Sequence, residues 1–140
     1  MAEIDAILGE LLAGTGASRV TLRQDLPGDV FPVTHEALTG GVPAIKGVAT
    51  PDMARQPVVL EVQQGRQVVQ EDCEAASAEP HFREMLELYG GLRAQIVTPI
   101  VREGRLAAIV SLHQLGRTRR WTEDEIAAAS RAAAKVGALL

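Results

Sequence analysis

Residues 92–126 read LRAQIVTPIV, REGR, LAAIVSLH, QLGRTRR and WTEDEI, and this stretch decides the fold. Residues 92–101 and 106–113 are apolar at nearly every position, and the short polar connection between them contains Gly104. Two apolar runs joined this tightly predict a β-hairpin. Strands that are apolar on both sides are covered on both sides, so the pair is expected at the centre of a sheet. The next helix has an explicit start. Thr122 and Glu125 stand at the Thr-x-x-Glu spacing of a capping box, and Trp121 and Ile126 flank it as a hydrophobic staple. Ile126, Ala129, Ala133 and Val136 then form a narrow stripe of mostly small side chains, against which a second helix can pack closely.

The partner for that stripe lies at the other end of the chain. Ile4, Ile7, Leu8, Leu11 and Leu12 fall on one face of a helix, which Gly14 and Gly16 stop. Between the termini, residues 18–23 alternate, with Val20 and Leu22 on one side and Arg19, Thr21 and Arg23 on the other. This predicts a strand with one wet face. After a turn at Pro27 and Gly28, residues 30–37 predict a second strand whose alternation puts Phe31, Val33 and His35 on a shared face. Residues 38–57 are rich in glycine and proline without periodicity, the pattern of a long binding loop or lid. A short helix over 57–65, an extended piece over 66–70 and a helix over 80–89 ended by Gly90 and Gly91 complete the reading. The order predicts an α+β domain spanning residues 1–140, with one antiparallel sheet and helices on its faces.

Composition excludes several classes of function. With 140 residues the chain fits one domain, and 46% hydrophobic with 23% charged residues argues against disorder. A formal charge of −4 gives no basic face for nucleic acid, and the apolar runs are too short to span a membrane. The acidic N-terminus does not resemble a secretory signal, so a cytoplasmic location is expected. Cys73 is the single cysteine, which leaves no internal disulfide and no multi-cysteine zinc site. His35, His81 and His113 lack any local metal-ligand spacing, so no metal is expected.

Taken together, the chain resembles a GAF domain. The matching residues are Thr98-Pro99-Ile100, the turn at Gly104, the strand Ala107 to Gln114, and Arg120-Trp121-Thr122-Glu123-Asp124-Glu125-Ile126. Gly65-Arg66-Gln67-Val68-Val69 followed by Asp72 resembles the approach to the family's ligand-side helix. The resemblance implies a central antiparallel sheet of five or six strands. It places the two terminal helices on one face and a small-molecule pocket on the other, roofed by residues 38–91. His113-Gln114 followed by Arg120-Trp121 is most similar to GAF domains of phytochromes and related bilin photoreceptors, whose equivalent histidine contacts the chromophore. Members that attach bilin through this domain generally carry a cysteine followed by histidine. Here Cys73 precedes Glu74 and lies before the ligand-side helix, so covalent bilin is not expected. A methionine-sulfoxide-reducing branch uses a cysteine pair, which a single thiol cannot supply within one chain. The asparagine-lysine-phenylalanine-aspartate signature of cyclic-nucleotide-binding members is absent.

The pocket candidates that follow are Phe31, Val33, His35, Cys73, Phe82, Met85, Tyr89, Ile109, Ser111 and His113. Phe31, Phe82 and Tyr89 are three of only four aromatic residues, and a single cavity could gather them, with the Tyr89 hydroxyl offered to a ligand. Flanking Asp72 and Glu74 disfavour a reactive Cys73 thiolate. The run 117–120 reads as a solvated loop that positions Trp121. The expectation is a sensor or regulatory domain without enzymatic activity, binding an unidentified small molecule non-covalently. It would signal by homodimerising through the terminal helices or through a separate signalling protein. A ligand-free interaction module and a methionine-sulfoxide-type redox enzyme are the alternatives.

Overall fold

The central hairpin forms as its sequence requires, and the rest of the chain is arranged around it. The structure, a computed structural model, describes residues 2–140. The elements run α1 (Ala2–Thr15), β1 (Arg19–Gln24), β2 (Val33–Leu38), a 3-10 turn (Met53–Arg55), α2 (Pro57–Gln63), β3 (Val68–Gln70), α3 (Cys73–Ala76), α4 (Pro80–Leu88), β4 (Leu92–Arg102), β5 (Arg105–Leu115) and α5 (Glu123–Leu139). Five strands make one antiparallel sheet in the order β2-β1-β5-β4-β3. The β4–β5 connection is a two-residue turn with φ of 50° at Glu103 and 75° at Gly104, the backbone that lets the twist of the two strands continue.

One face of the sheet is closed by the terminal helices, as the resemblance implied. Ile4, Leu8 and Leu11 of α1 and Ala129, Ala132, Ala133 and Val136 of α5 pack on Val20, Leu22, Ile96 and Leu112. The capping box is complete: Thr122 Oγ1 accepts from the Glu125 amide at 3.1 Å, and Glu125 Oε1 accepts from the Thr122 amide at 2.9 Å. Ahead of it, the Trp121 indole N–H donates to the Gln70 carbonyl at 3.1 Å. The opposite face carries a second core, in which Ile45 of the 39–56 segment, Val58 and Val62 of α2, Cys73 of α3 and Phe82 and Met85 of α4 cluster with Phe31, Val33, Val97 and Ile109.

Three sequence expectations change. The Arg19, Thr21 and Arg23 side of β1 is not wet: these residues are 0%, 0% and 6% exposed. The strand lies between β2 and β5 rather than at an edge, so both its faces are covered. His35 does not share a face with Val33. Val33 pairs with Arg23 and His35 with Leu22, so a bulge at Thr34 turns His35 toward the helix side of the sheet. The 117–120 run is only partly solvated. Arg119 donates to the Thr15 carbonyl, to Gln114 Oε1 at 2.9 Å and to Glu125, and its guanidinium lies 4.6 Å from the Trp121 ring centroid.

Candidate functional site

Strand register lays out the site in rows across the second face. Arg19 stands beside His113, which stands beside Gln95; Thr21 stands beside Ser111 and then Val97; Arg23 stands beside Ile109. Residues opposite one another in an antiparallel pair project to the same side, so period-two alternation gathers these side chains beneath the cover. All eight are buried.

The cover is tied down at the end of α4. Gly91 donates to the Leu86 carbonyl and Gly90 to the Glu87 carbonyl, both at 3.0 Å, closing the helix with a Schellman motif. Gly90 has φ of 86°, and a Cβ there would lie 2.7 Å from Pro43 Cγ, so only glycine permits this approach of the loop. Below that contact, Arg19 reaches three acceptors. Its Nη1 donates to the Pro43 carbonyl and its Nη2 to the Tyr89 carbonyl, each at 2.8 Å, and its Nε donates to His113 Nδ1 at 3.0 Å. Arg23 donates to the Phe31 carbonyl at 2.8 Å, to the Tyr89 hydroxyl, and to Thr50 Oγ1 at 3.5 Å. The Tyr89 hydroxyl also bonds Thr50 Oγ1. Tyr89 is therefore flanked by two guanidinium groups, 5.8 and 5.7 Å from its ring centroid, and its ring stacks on His113 at 5.9 Å.

A cavity of about 30 Å³ sits in this layer, walled by Arg23, Met53, Gln56, Val58, Val59, Met85, Tyr89, Gln95, Val97, Ile109, Ser111 and His113. That is room for water rather than for an organic ligand, whose pockets are of order 300 Å³ or more. Gln56 is 2% exposed and its Nε2 donates to the carbonyls of Pro51 at 2.6 Å and His81 at 3.1 Å. Those two acceptors fix the amide orientation and leave Gln56 Oε1 buried without a partner. Thr21 Oγ1 is likewise buried and unpartnered.

Charge follows from burial. Burial pulls the Arg19 guanidinium down to about 10, opposed by the Glu36 carboxylate, so it stays a cation at neutral pH. The His113 ring is held well below 6.5, chiefly by burial and further by Arg19 and Arg23. It is neutral, and because Nδ1 accepts from Arg19 its proton sits on Nε2. The wall thus offers donors at Arg23, Ser111 and His113 on an apolar background and contains no carboxylate.

Of the sequence candidates, Met85, Tyr89, Ile109, Ser111 and His113 line this cavity. Phe31, Val33, Cys73 and Phe82 belong to the same layer but lie outside the cavity wall. The three aromatic rings therefore share a core, with Tyr89 alone among them at the cavity. His35 is carried to the other face by the bulge. Cys73 is 0% exposed, and burial, more than the neighbouring Asp72, pushes its thiol up to about 12. A thiol so buried and so scarcely ionised, off the cavity wall, does not fit covalent attachment of a tetrapyrrole, and the cavity does not hold one. Among the described residues no three of histidine, cysteine, aspartate and glutamate gather as a metal site. Arg19 and Arg23 are what the sequence reading missed. No local signal marked them, because arginines alternating on a strand read as its solvent face until the strand's place between β2 and β5 is known.

Known proteins supply the context. The chain matches no functionally curated protein. The solved GAF domain of the cyanobacteriochrome TePixJ superposes with a TM-score of 0.82 at 24% identity, over 99% of this chain and 86% of that one. The photoproduct state of GAF3 from Slr1393 of Synechocystis gives 0.79 at 19% identity, over 99% and 90%. The chromophore-binding domain of the bacteriophytochrome RpBphP3 from R. palustris gives 0.79 at 16% identity, over 97% of this chain and 52% of that one. Identities this low carry the fold and no more. The GAF domain family model matches residues 2–140, in keeping with the terminal-helix layer, the five-stranded sheet and the covered second face, and this chain belongs to the GAF domain family.

Proposed function

We propose that this GAF domain is a sensory binding domain that takes a small molecule non-covalently beneath the 39–56 segment and does not transform it. The observation that carries this reading is the polar wall under the cover, which the small cavity shares through Arg23 and Met53 with a wider groove outside it. It combines buried donors at Arg23, Ser111 and His113 with a Gln56 Oε1 that has no partner, in a core that would close more favourably around apolar side chains. Hydrolytic or redox chemistry is not favoured by the same geometry. The His113 nitrogen that would take a proton already accepts one from a cation, and the single thiol is buried. Similarity in fold to bilin photoreceptor domains supports a sensory role.

Signal output would pass through the terminal helices, directly to a second copy or to a separate protein. The stripes of α1 and α5 are spent on each other and on the sheet, which leaves the half-buried Ile7, Leu12, Ile126 and Leu139 as the coupling residues. No helix among the described residues is long and apolar enough to cross a membrane. Native and denaturing mass spectra of protein purified without added ligand test the reading. The expected result is an extra mass, lost on denaturation, without visible absorption. A mass that survives denaturation with colour overturns the non-covalent assignment. A clean apo mass under all conditions favours the interaction-module reading, for which the small size of the cavity is the supporting observation.

A further inference from the structure

Two buried guanidinium groups face the ligand layer, and among the described residues neither forms an ion pair. An unpaired buried charge is costly, so its compensation has to be identified. Arg19 has one. Its Nη2 meets the Tyr89 carbonyl at the C-terminal cap of α4, where the helix dipole is negative, and all three of its nitrogens have acceptors within 3.0 Å. Arg23 has much less. One carbonyl and two hydroxyls receive its protons, and the Thr50 contact is long at 3.5 Å.

Arg23 also occupies a particular place. Outside the small cavity lies a groove of about 430 Å³ between residues 28–33 and 47–53, and Arg23 and Met53 are the two residues that line both spaces. They form a partition, and Thr50, on the groove side, latches it to Tyr89. Val30, Val33, Val48 and Met53 supply the apolar part of a mixed lining that also includes Asp29, whose Oδ1 accepts from the Val30 amide at 2.9 Å. The inner space has room for one small polar group, and the outer space for an organic body of the usual ligand size.

We propose that cavity and groove are one site for a small organic carboxylate with an apolar body. Its carboxylate takes the place of Thr50 Oγ1 on Arg23 and the Tyr89 hydroxyl, and its body lies in the groove. A monoanion suits a cation that has no ion-pair partner, and the Nη2 group that Thr50 and Tyr89 now share offers it a charge-assisted bond. A water between this carboxylate and Gln56 gives Oε1 the donor it lacks. Releasing Thr50 frees the 39–56 segment from Tyr89, which links occupancy to the cover. The proposal rests on reading this layer as a ligand site, and its test separates the two.

Hexanoate and octanoate are titrated against hexanamide and octanamide by calorimetry. The amides match in shape and lack only the charge. The expected result is carboxylate binding at least about tenfold tighter than the matching amide, a difference near 1.4 kcal/mol. In Arg23→Gln the two series bind alike, and in Thr50→Val, which loses the latch, the carboxylates bind several-fold tighter. Equal binding of acid and amide by the unaltered protein overturns the charge assignment and leaves the pocket standing. A carboxylate preference that survives in folded Arg23→Gln overturns the role of that residue. Binding of neither series, in the unaltered protein or in Thr50→Val, overturns the proposal, and with a clean apo mass spectrum it overturns the pocket as well. If Arg23→Gln does not fold, the acid–amide comparison and Thr50→Val still decide.

Discussion

The two faces of β1 are buried to the same degree and built from opposite chemistry. Val20 and Leu22, both 0% exposed, meet the terminal helices, while Arg19 and Thr21, also 0% exposed, meet the cover. On the helix side, stability comes from apolar area and close packing, which are indifferent to direction. On the cover side β1 adds to the second apolar core a set of hydrogen bonds with fixed geometry, among them those to the Pro43 carbonyl and the Thr50 hydroxyl. A packed apolar layer has nothing to exchange. A layer held by donors can trade one acceptor for another, and such exchange is what a ligand needs.

The largest expected effect breaks the helix side alone. Leu8 is fully buried between α1 and the sheet, and Leu8→Ala should lower the unfolding free energy by about 3 kcal/mol through lost burial and the cavity left behind. Urea denaturation reads the loss, and the His113 ring signals should stay where they are. A shift of those signals would mean that the two layers are mechanically coupled. Next comes Arg19→Met. It strands the Pro43 and Tyr89 carbonyls and His113 Nδ1, each at about 1 kcal/mol, and recovers part of that by removing a buried cation. A net loss of about 2 kcal/mol is expected, together with a rise in the His113 pKa as a neighbouring positive charge disappears. Arg19→Lys should not rescue stability, because one ammonium cannot reach three divergent acceptors. If Arg19→Met is neutral, the cover side is an ordinary core and the contrast between the faces fails.

Acid offers a gentler probe. His113 is neutral in the fold because burial, and then Arg19 and Arg23, hold its pKa well below 6.5. Above about pH 6.5 it is neutral in folded and unfolded chains alike, and stability does not depend on it. Below that pH the unfolded chain binds a proton that the folded chain refuses, so stability falls as the pH falls, by up to about 1.4 kcal/mol per unit until the folded pKa is reached. His35, lowered by burial in the same direction, adds to the fall. The Glu79 carboxylate, held below 4.5 by the His81 amide, contributes only in more acid solution. Urea midpoints at pH 7.5 and 5.5 should therefore separate by an amount that His113→Gln largely removes. An unchanged separation in that variant would place the titrating group elsewhere.

How much of this was legible in the sequence depends on the kind of information each residue carries. The hairpin, the capping box and the Gly90-Gly91 stop are local signals, and local physics decides them. The burial of Arg19 and Arg23 is not local. Arginine alternating on a strand reads as solvent-facing because arginine is almost never fully buried, and only the position of β1 inside the sheet reverses that reading. His35 was misplaced by a single extra residue at Thr34, since a one-residue slip inverts every side chain beyond it. His113, Met85, Tyr89, Ile109 and Ser111 line the cavity, and it was the family resemblance, not periodicity, that assigned them to this face. The cavity's closure depends on where the 39–56 segment settles, and that rests on the Ile45 amide donating to Glu36 and on Arg19 donating to the Pro43 carbonyl, contacts that local periodicity does not encode.

The smallest expected effect sharpens the comparison by moving the same side chain to the surface. Arg66 meets Glu61 at 2.6 Å, shorter than any contact of Arg19, yet the two side chains are 61% and 51% exposed. Water solvates both partners as well as they solvate each other, and ordering two long side chains costs entropy, so the pair is worth at most a few tenths of a kcal/mol. Arg66→Gln should leave the urea midpoint nearly unchanged at low salt and fully unchanged at high salt. Arg19→Met should cost nearly the same at both, because its acceptors lie where mobile ions do not reach. The contrast isolates burial, rather than distance or charge, as what gives the arginines of β1 their weight. A salt-sensitive Arg19 variant would show instead that the cover admits solvent and that the layer is already open.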